Sequence, residues 1–233
     1  VIARFGIALE AAVPILTISS SKGGVGKTTV AQLLAAAVAR DGLSVVVIDA
    51  DANQGLVGWV ADIYEGPSIR AVAETDDAKL AHLMPEMAAA ADLVIVDTAG
   101  FGNVAAAVAM AGSDAVLVPA QPGRADLLEA ERTVQRVRGL ARASRRDIPV
   151  RVLLNRVQRT TGLTRHAITE AGVLDLPRLD TMLSHSVGFG EIGFTGRLPV
   201  ASPAVDEVAM LLAELRALGW LPVPATGDPM AAS

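Results

Sequence analysis

Short runs made largely of aliphatic residues alternate along this chain with longer, mostly helical-period stretches. The runs are Ile15–Ile18, Ser44–Ile48, Leu93–Val96, Ala115–Val118 and Val150–Leu154, with a more polar one at Ser68–Val72. A run that is apolar at every position, rather than at every second one, predicts a strand buried on both faces. The periodic stretches Thr28–Arg40, Asp76–Ala90, Val104–Ala111, Ala125–Ala143, Leu163–Ala171 and Pro203–Leu218 predict helices, the first stopped by Asp41-Gly42. Strands and helices in strict alternation imply an α/β fold: a three-layer, mostly parallel twisted sheet with helices on both faces. No internal repeat or linker interrupts the pattern. The expected organisation is an N-terminal extension at 1–13, one domain over 14–220, and a disordered Pro/Ala/Gly-rich tail at 221–233.

Composition narrows the chemistry. Ala and Val dominate and aromatics are only 3%, so the core is built of small side chains that let helices sit close to a sheet. There is no cysteine, which removes disulfides, thiolate metal sites and cysteine nucleophiles. His82, His166 and His185 are too scattered to suggest a metal site. No apolar run approaches the ~20 residues of a membrane-spanning helix. Arg4 and Glu10 interrupt residues 1–13, against a signal peptide and for a cytoplasmic location. The net charge of −5 hides an asymmetry: between Glu131 and Glu170 ten arginines face three acids, a local charge of +7. Such segregation points to a polyanionic partner.

The most specific chemistry lies just after the first strand, in Ser20-Ser21-Lys22-Gly23-Gly24-Val25-Gly26-Lys27-Thr28-Thr29, which holds two of the chain's three lysines. Glycines let backbone N–H groups turn toward an anion, and the following helix N-terminus adds positive potential. Gly23, Gly24, Val25, Gly26, Lys27, Thr28 and Thr29 would cradle the phosphates of a nucleotide, with Lys27 on the β- and γ-phosphates and the Thr28 hydroxyl on Mg²⁺. The general phosphate-loop pattern has a glycine where this chain has Ser21. Asp97, ending the strand Leu93–Val96, stands where a carboxylate holds Mg²⁺ directly or through water. This is the P-loop NTPase arrangement, with its ligands outside the carboxyl ends of the strands.

The stretch Lys22-Gly23-Gly24-Val25-Gly26-Lys27-Thr28-Thr29 resembles the deviant Walker A loop of the ParA/MinD-like ATPases. The resemblance continues through Asp49-Ala50-Asp51-Ala52-Asn53-Gln54, Ser113–Pro122, Leu154–Val157 and Asp180–His185, and covers roughly residues 14–218. It is nearest to the compact ParA partition ATPases that lack an N-terminal helix-turn-helix. It implies that Asp49 lies near the metal shell and that Asp51 orients or deprotonates the attacking water. It implies that Lys22 crosses an ATP-dependent homodimer interface to the partner's phosphates, like an arginine finger. Asn155 matches the position that contacts adenine in relatives. It further implies a weak ATPase stimulated by a small ParB-like adaptor.

The arginines fit the same picture. At 100° per residue, Arg132, Arg136, Arg142 and Arg146 share about a third of the circumference of the helix starting at Ala125. Arg156, Arg159 and Arg165 come from a second element. Together they form the expected surface for non-specific DNA, which would place the protein on the nucleoid. Relatives often carry arginines after the last strand, where this chain has Ser184-His185-Ser186-Val187-Gly188-Phe189. The leading expectation is DNA partition or cargo positioning. The alternatives are a conjugative-transfer accessory ATPase of the same family and a MinD-like membrane positioning ATPase. Gly219-Trp220-Leu221-Pro222-Val223-Pro224 lacks the basic amphipathic helix expected of the MinD-like type, so no membrane partner is expected.

Overall fold

The computed structural model describes residues 15–100, 103–158 and 161–224. Its elements run β1 (Ile15–Ile18), α1 (Lys27–Arg40), β2 (Val45–Ala50), α2 (Gly55–Asp62), β3 (Ile69–Ala73), α3 (Asp77–Ala88), β4 (Leu93–Thr98), α4 (Val104–Gly112) and β5 (Ala115–Ala120). They continue with α5 (Arg124–Ser144), β6 (Val150–Val157), α6 (Gly162–Val173), β7 (Arg178–Ser184), α7 (Val187–Thr195) and α8 (Ala204–Ala217). The strands form one sheet in the order β3-β2-β4-β1-β5-β6-β7, every pairing parallel.

Residues along each strand divide between the two faces of the sheet, as a period of two requires. Val45 and Val47 enter the core under α1, α2, α7 and α8, while Val46 and Ile48 enter the core under α3 and α4. A third cluster lies between β5, β6, α5 and α6. Helix α1 is buried continuously from Val30 to Ala39. Its alanines let it nest between the sheet and its neighbours, a packing that bulkier side chains would prevent. Because β1 is central and its successor β2 lies two places away, the loop after β1 opens at the crevice where the order reverses.

Two helices go beyond the sequence reading, and the last strand is placed there only by resemblance. Helix α2 follows the Asp49–Gln54 segment. Strand β7 is an edge strand with alternating burial at Leu179, Thr181 and Leu183, so it has no continuous apolar run. Helix α7 carries three glycines, which lower intrinsic helix propensity; Ser186 caps it and Phe189 and Ile192 anchor it. The expected extension at 1–13 lies outside the described residues, as do 225–233 of the expected tail. Leu221 is buried in the main core and the Pro222 carbonyl accepts a bond from Arg216 Nε, so the packed chain continues past 220.

Candidate nucleotide-binding site

The loop between β1 and α1 is shaped by two glycines at positive φ, Gly24 at +74° and Gly26 at +96°. At Gly26 a Cβ would also stand 2.3 Å from Asn155 Nδ2, so glycine is required on two grounds. The loop is held from outside by its carbonyls: Asn155 Nδ2 donates to Val25 O at 2.8 Å and Gln121 Nε2 donates to Gly24 O at 3.0 Å. No side chain caps α1 at Gly26. The first-turn N–H groups of a helix have no intrahelical acceptor, so this uncapped end suits an anion. Lys27 heads the helix and is buried; its Nζ folds back to the Lys22 carbonyl at 3.3 Å. Burial lowers the Lys27 pKa, against the opposing pull of Asp97 and Asp51.

Beside Lys27, Thr28 Oγ1 donates to Asp97 Oδ2 at 2.7 Å. Asp97 is 1% exposed, and its Oδ1 is buried with no hydrogen-bond partner. Its pKa is pushed up to about 7, foremost by burial and further by Asp49 and Asp51, while the Thr28 bond and Lys27 act in the other direction. A bare carboxylate oxygen next to a threonine hydroxyl is a hard-oxygen pair of the kind Mg²⁺ takes, completed by phosphates and water rather than by an all-protein cage. Among the described residues there is no group of three or more acids or histidines that could hold a metal ion.

The structure redistributes several expected roles. Asp49 pairs in register with Asp97, but its Oδ2 accepts from Leu56 N at 2.8 Å and Val57 N at 3.1 Å, and its Oδ1 from Asp51 N at 3.1 Å. Asp49 therefore holds the start of α2 from the end of the strand that pairs with Asp97. Asp51 is half-buried and accepts from both the amide and the side chain of Asn53 at 2.9 Å, which shapes the turn ahead of α2. Asn155 lines an open cleft with Thr29, His185, Phe189 and Phe194. Its Nδ2 is committed to Val25, and its Oδ1 accepts from Arg156 N at 2.9 Å. In this state it braces the loop instead of presenting a free amide to a base.

Helix α5 grips the other limb of the loop. Lys22 Nζ donates to Asp126 Oδ2 at 2.6 Å, Ser21 Oγ donates to Glu129 Oε2 at 2.9 Å, and Ser21 N donates to Thr133 Oγ1 at 3.3 Å. Gln121, Asp126, Glu129 and Thr133 were not singled out from sequence. Asp126 and Glu129 read there as ordinary acids near a helix start, and nothing local shows that they face the loop.

Arg132, Arg136 and Arg142 are exposed on α5, and Arg156 and Arg165 are exposed elsewhere. Arg132 pairs with Glu129 one turn away. Arg146 departs from the expected stripe. The helix ends at Ser144, and Arg146 is turned onto the carbonyls of Ala111 and Ser113 and the carboxylate of Asp114. Arg159 lies outside the described residues.

Residues 13–217 match the VirC1 protein family. The chain is 32% identical to protein ParA of Rhizobium radiobacter over 114 residues, 48% of this chain and 51% of that one. It is 32% identical to protein virC1 of Rhizobium rhizogenes over 148 residues, 61% of this chain and 64% of that one. The aligned region thus spans about half to two thirds of these relatives. The fold is shared with Cyanothece McdA in its ATP complex, at a TM-score of 0.72 and 16% identity over 91% of this chain and 99% of that one. It is likewise shared with the cell division ATPase MinD of Pyrococcus furiosus, at 0.70 and 22% over 88% and 99%. The chain belongs to the VirC1 protein family and is built on the fold of the ParA/MinD-type ATPases.

Proposed function

We propose that this protein is a ParA-type ATP switch that partitions or positions DNA. The observation that carries the reading is the Thr28–Asp97 pair, with its bare Oδ1, beside buried Lys27 at an uncapped helix N-terminus. The backbone from Gly23 to Thr29 would hold the phosphates of ATP, with Lys27 neutralising the β- and γ-phosphates. Thr28 and Asp97 would hold Mg²⁺, which supplies charge neutralisation on the phosphate oxygens when bound. Asp51 would orient the attacking water; phosphoryl transfer needs positioning and electrostatics more than covalent help. Lys22 would reach the phosphates of a second copy, so that ATP closes a homodimer. The dimer would bind non-specific DNA through exposed arginines, and a small ParB-like adaptor would stimulate hydrolysis and reset the cycle. In this reading the protein works in the cytoplasm on the nucleoid.

The test compares ATP binding, dimerisation and turnover in wild type, Lys27→Ala and Lys22→Ala. Lys27→Ala is expected to lose ATP binding and turnover. Lys22→Ala is expected to keep ATP binding but lose dimerisation and partner-stimulated turnover by about 10³-fold, the scale of a lost phosphate-neutralising finger. Unchanged turnover in Lys27→Ala sinks the ATPase reading; unchanged turnover in Lys22→Ala sinks the dimer step.

A further inference from the structure

The proposed dimer needs Lys22 free to reach another subunit, and in the single chain it is not free. Its ammonium is 2.6 Å from Asp126 Oδ2, with the lysine side chain 40% exposed and the aspartate 11%. The lysine is thus open to an incoming ligand while its partner is set inward. The neighbouring loop residue is fixed to the same helix by Glu129 and Thr133. Asp126, Glu129 and Thr133 are spaced three and four residues apart, so they lie along one face of α5. The whole limb Ser21–Lys22 is therefore docked on α5, and Lys22 is held toward its own subunit.

We propose that Asp126 is a positioning residue that holds Lys22 in cis until the nucleotide phosphates of a second copy take its place. This rests on the proposed ATP-driven dimer. The exchange is one of ion partners: the ammonium leaves a carboxylate for a phosphate, and no proton or covalent bond moves. One feature offsets the loss of the lysine: Asp126 lies in the first turn of α5, where the helix dipole stabilises a negative charge, and no side chain caps that end. Another makes the loss costly: Oδ1 is buried without a hydrogen-bond partner, so release of Lys22 leaves the carboxylate less compensated. An apo protein with a free Lys22 would present an uncompensated cation at the nucleotide mouth. The cis pair prevents premature association and sets a threshold that a bound nucleotide must overcome.

Amine acylation followed by peptide mapping tests this on the full chain, because Lys79 provides an exposed internal reference among only three lysines. In nucleotide-free wild type, Lys22 is expected to react more slowly than Lys79. Asp126→Asn is expected to raise the Lys22 rate about three- to tenfold, the range for losing a partly exposed charge-assisted pair, and Asp126→Glu to restore the slow rate. With a non-hydrolysable ATP analogue and Mg²⁺, Asp126→Asn is expected to dimerise at a several-fold lower protein concentration. Equal Lys22 and Lys79 rates in wild type, or an Asp126→Asn rate equal to wild type, overturns the cis pair. A released lysine with an unchanged dimerisation midpoint overturns its restraining role. The labelling arm uses monomer alone. A wild type that never dimerises therefore sinks the dimer and the restraint on it, while labelling still decides whether Asp126 holds Lys22.

Discussion

Asp97 sets the electrostatic character of the site at the scale of single residues. Its carboxyl group is buried and titrates at about 7 rather than at the usual aspartate value. The folded chain therefore holds a proton that the unfolded chain has released, across the window from about pH 4 to pH 7. Stability conferred by that proton is complete below the unfolded pKa and is lost as pH rises through 7. Nucleotide-free protein is expected to be roughly 2–3 kcal/mol less stable at pH 8 than at pH 5 from this group, and Asp97→Asn to flatten that slope. Chemical denaturation at the two pH values checks both. That Asp97 would face the glycine-rich loop was legible in the sequence, since it closes an apolar strand and such strand ends gather at one edge of a parallel sheet. The use of Asn155 as a brace was not, because its partner Val25 lies 130 positions away. The same holds for Asp126 and Lys22.

Among the elements, α2 shows how a functional segment is anchored. Its first backbone amides are held by a fully buried carboxylate at the end of β2, so Asp49 couples sheet and helix across the turn that contains Asp51. Asp49→Ala is expected to cost about 2–4 kcal/mol, since it removes several hydrogen bonds to a charged acceptor and leaves buried donors unpaired. Hydrogen exchange at the Leu56 and Val57 amides should rise more than at amides in α1; an unchanged exchange pattern would count against the anchoring role. The six short runs all became strands, because β-branched and aliphatic residues over four to six positions, bounded by turn residues, suit a strand buried on both faces, whereas the alanine-rich Val104–Ala111 became helix α4. The elements missed by pattern alone lacked such a signal. Helix α2 begins at Gly55 after a left-handed Gln54, α7 is glycine-rich, and β7 sits at an edge with one face half-covered.

Across the whole molecule, the charge segregation visible in the sequence becomes a division of labour among arginines. Arg132, Arg136 and Arg142 are exposed along α5, and Arg146, though also exposed, is tied down and holds the segment after that helix to the start of β5. If the exposed set carries DNA, each of Arg132→Ala, Arg136→Ala and Arg142→Ala should reduce the salt slope of ATP-dependent DNA binding by about one. Arg146→Ala should leave that slope unchanged and lower the thermal midpoint instead. Retardation assays over a salt series, paired with thermal melts, separate the two classes. The stripe inferred from helical periodicity contained both kinds, because the 100° spacing was carried past the helix end, expected at Ala143 and found at Ser144, to a residue beyond the left-handed Arg145.

The contact of Trp59 has a consequence for observing the protein. The indole is 2% exposed, packs against Tyr64 with ring centroids 4.9 Å apart, and donates from Nε1 to the Ile192 carbonyl at 2.7 Å. It thereby joins α2, downstream of Asp51, to α7, whose residues line the cleft beside Asn155. Any rearrangement that separates these helices changes the polarity and hydrogen bonding of one buried chromophore. With Trp220 as the only other tryptophan, a single replacement there leaves the chain with one intrinsic optical reporter, placed between the turn that contains Asp51 and the far wall of the cleft.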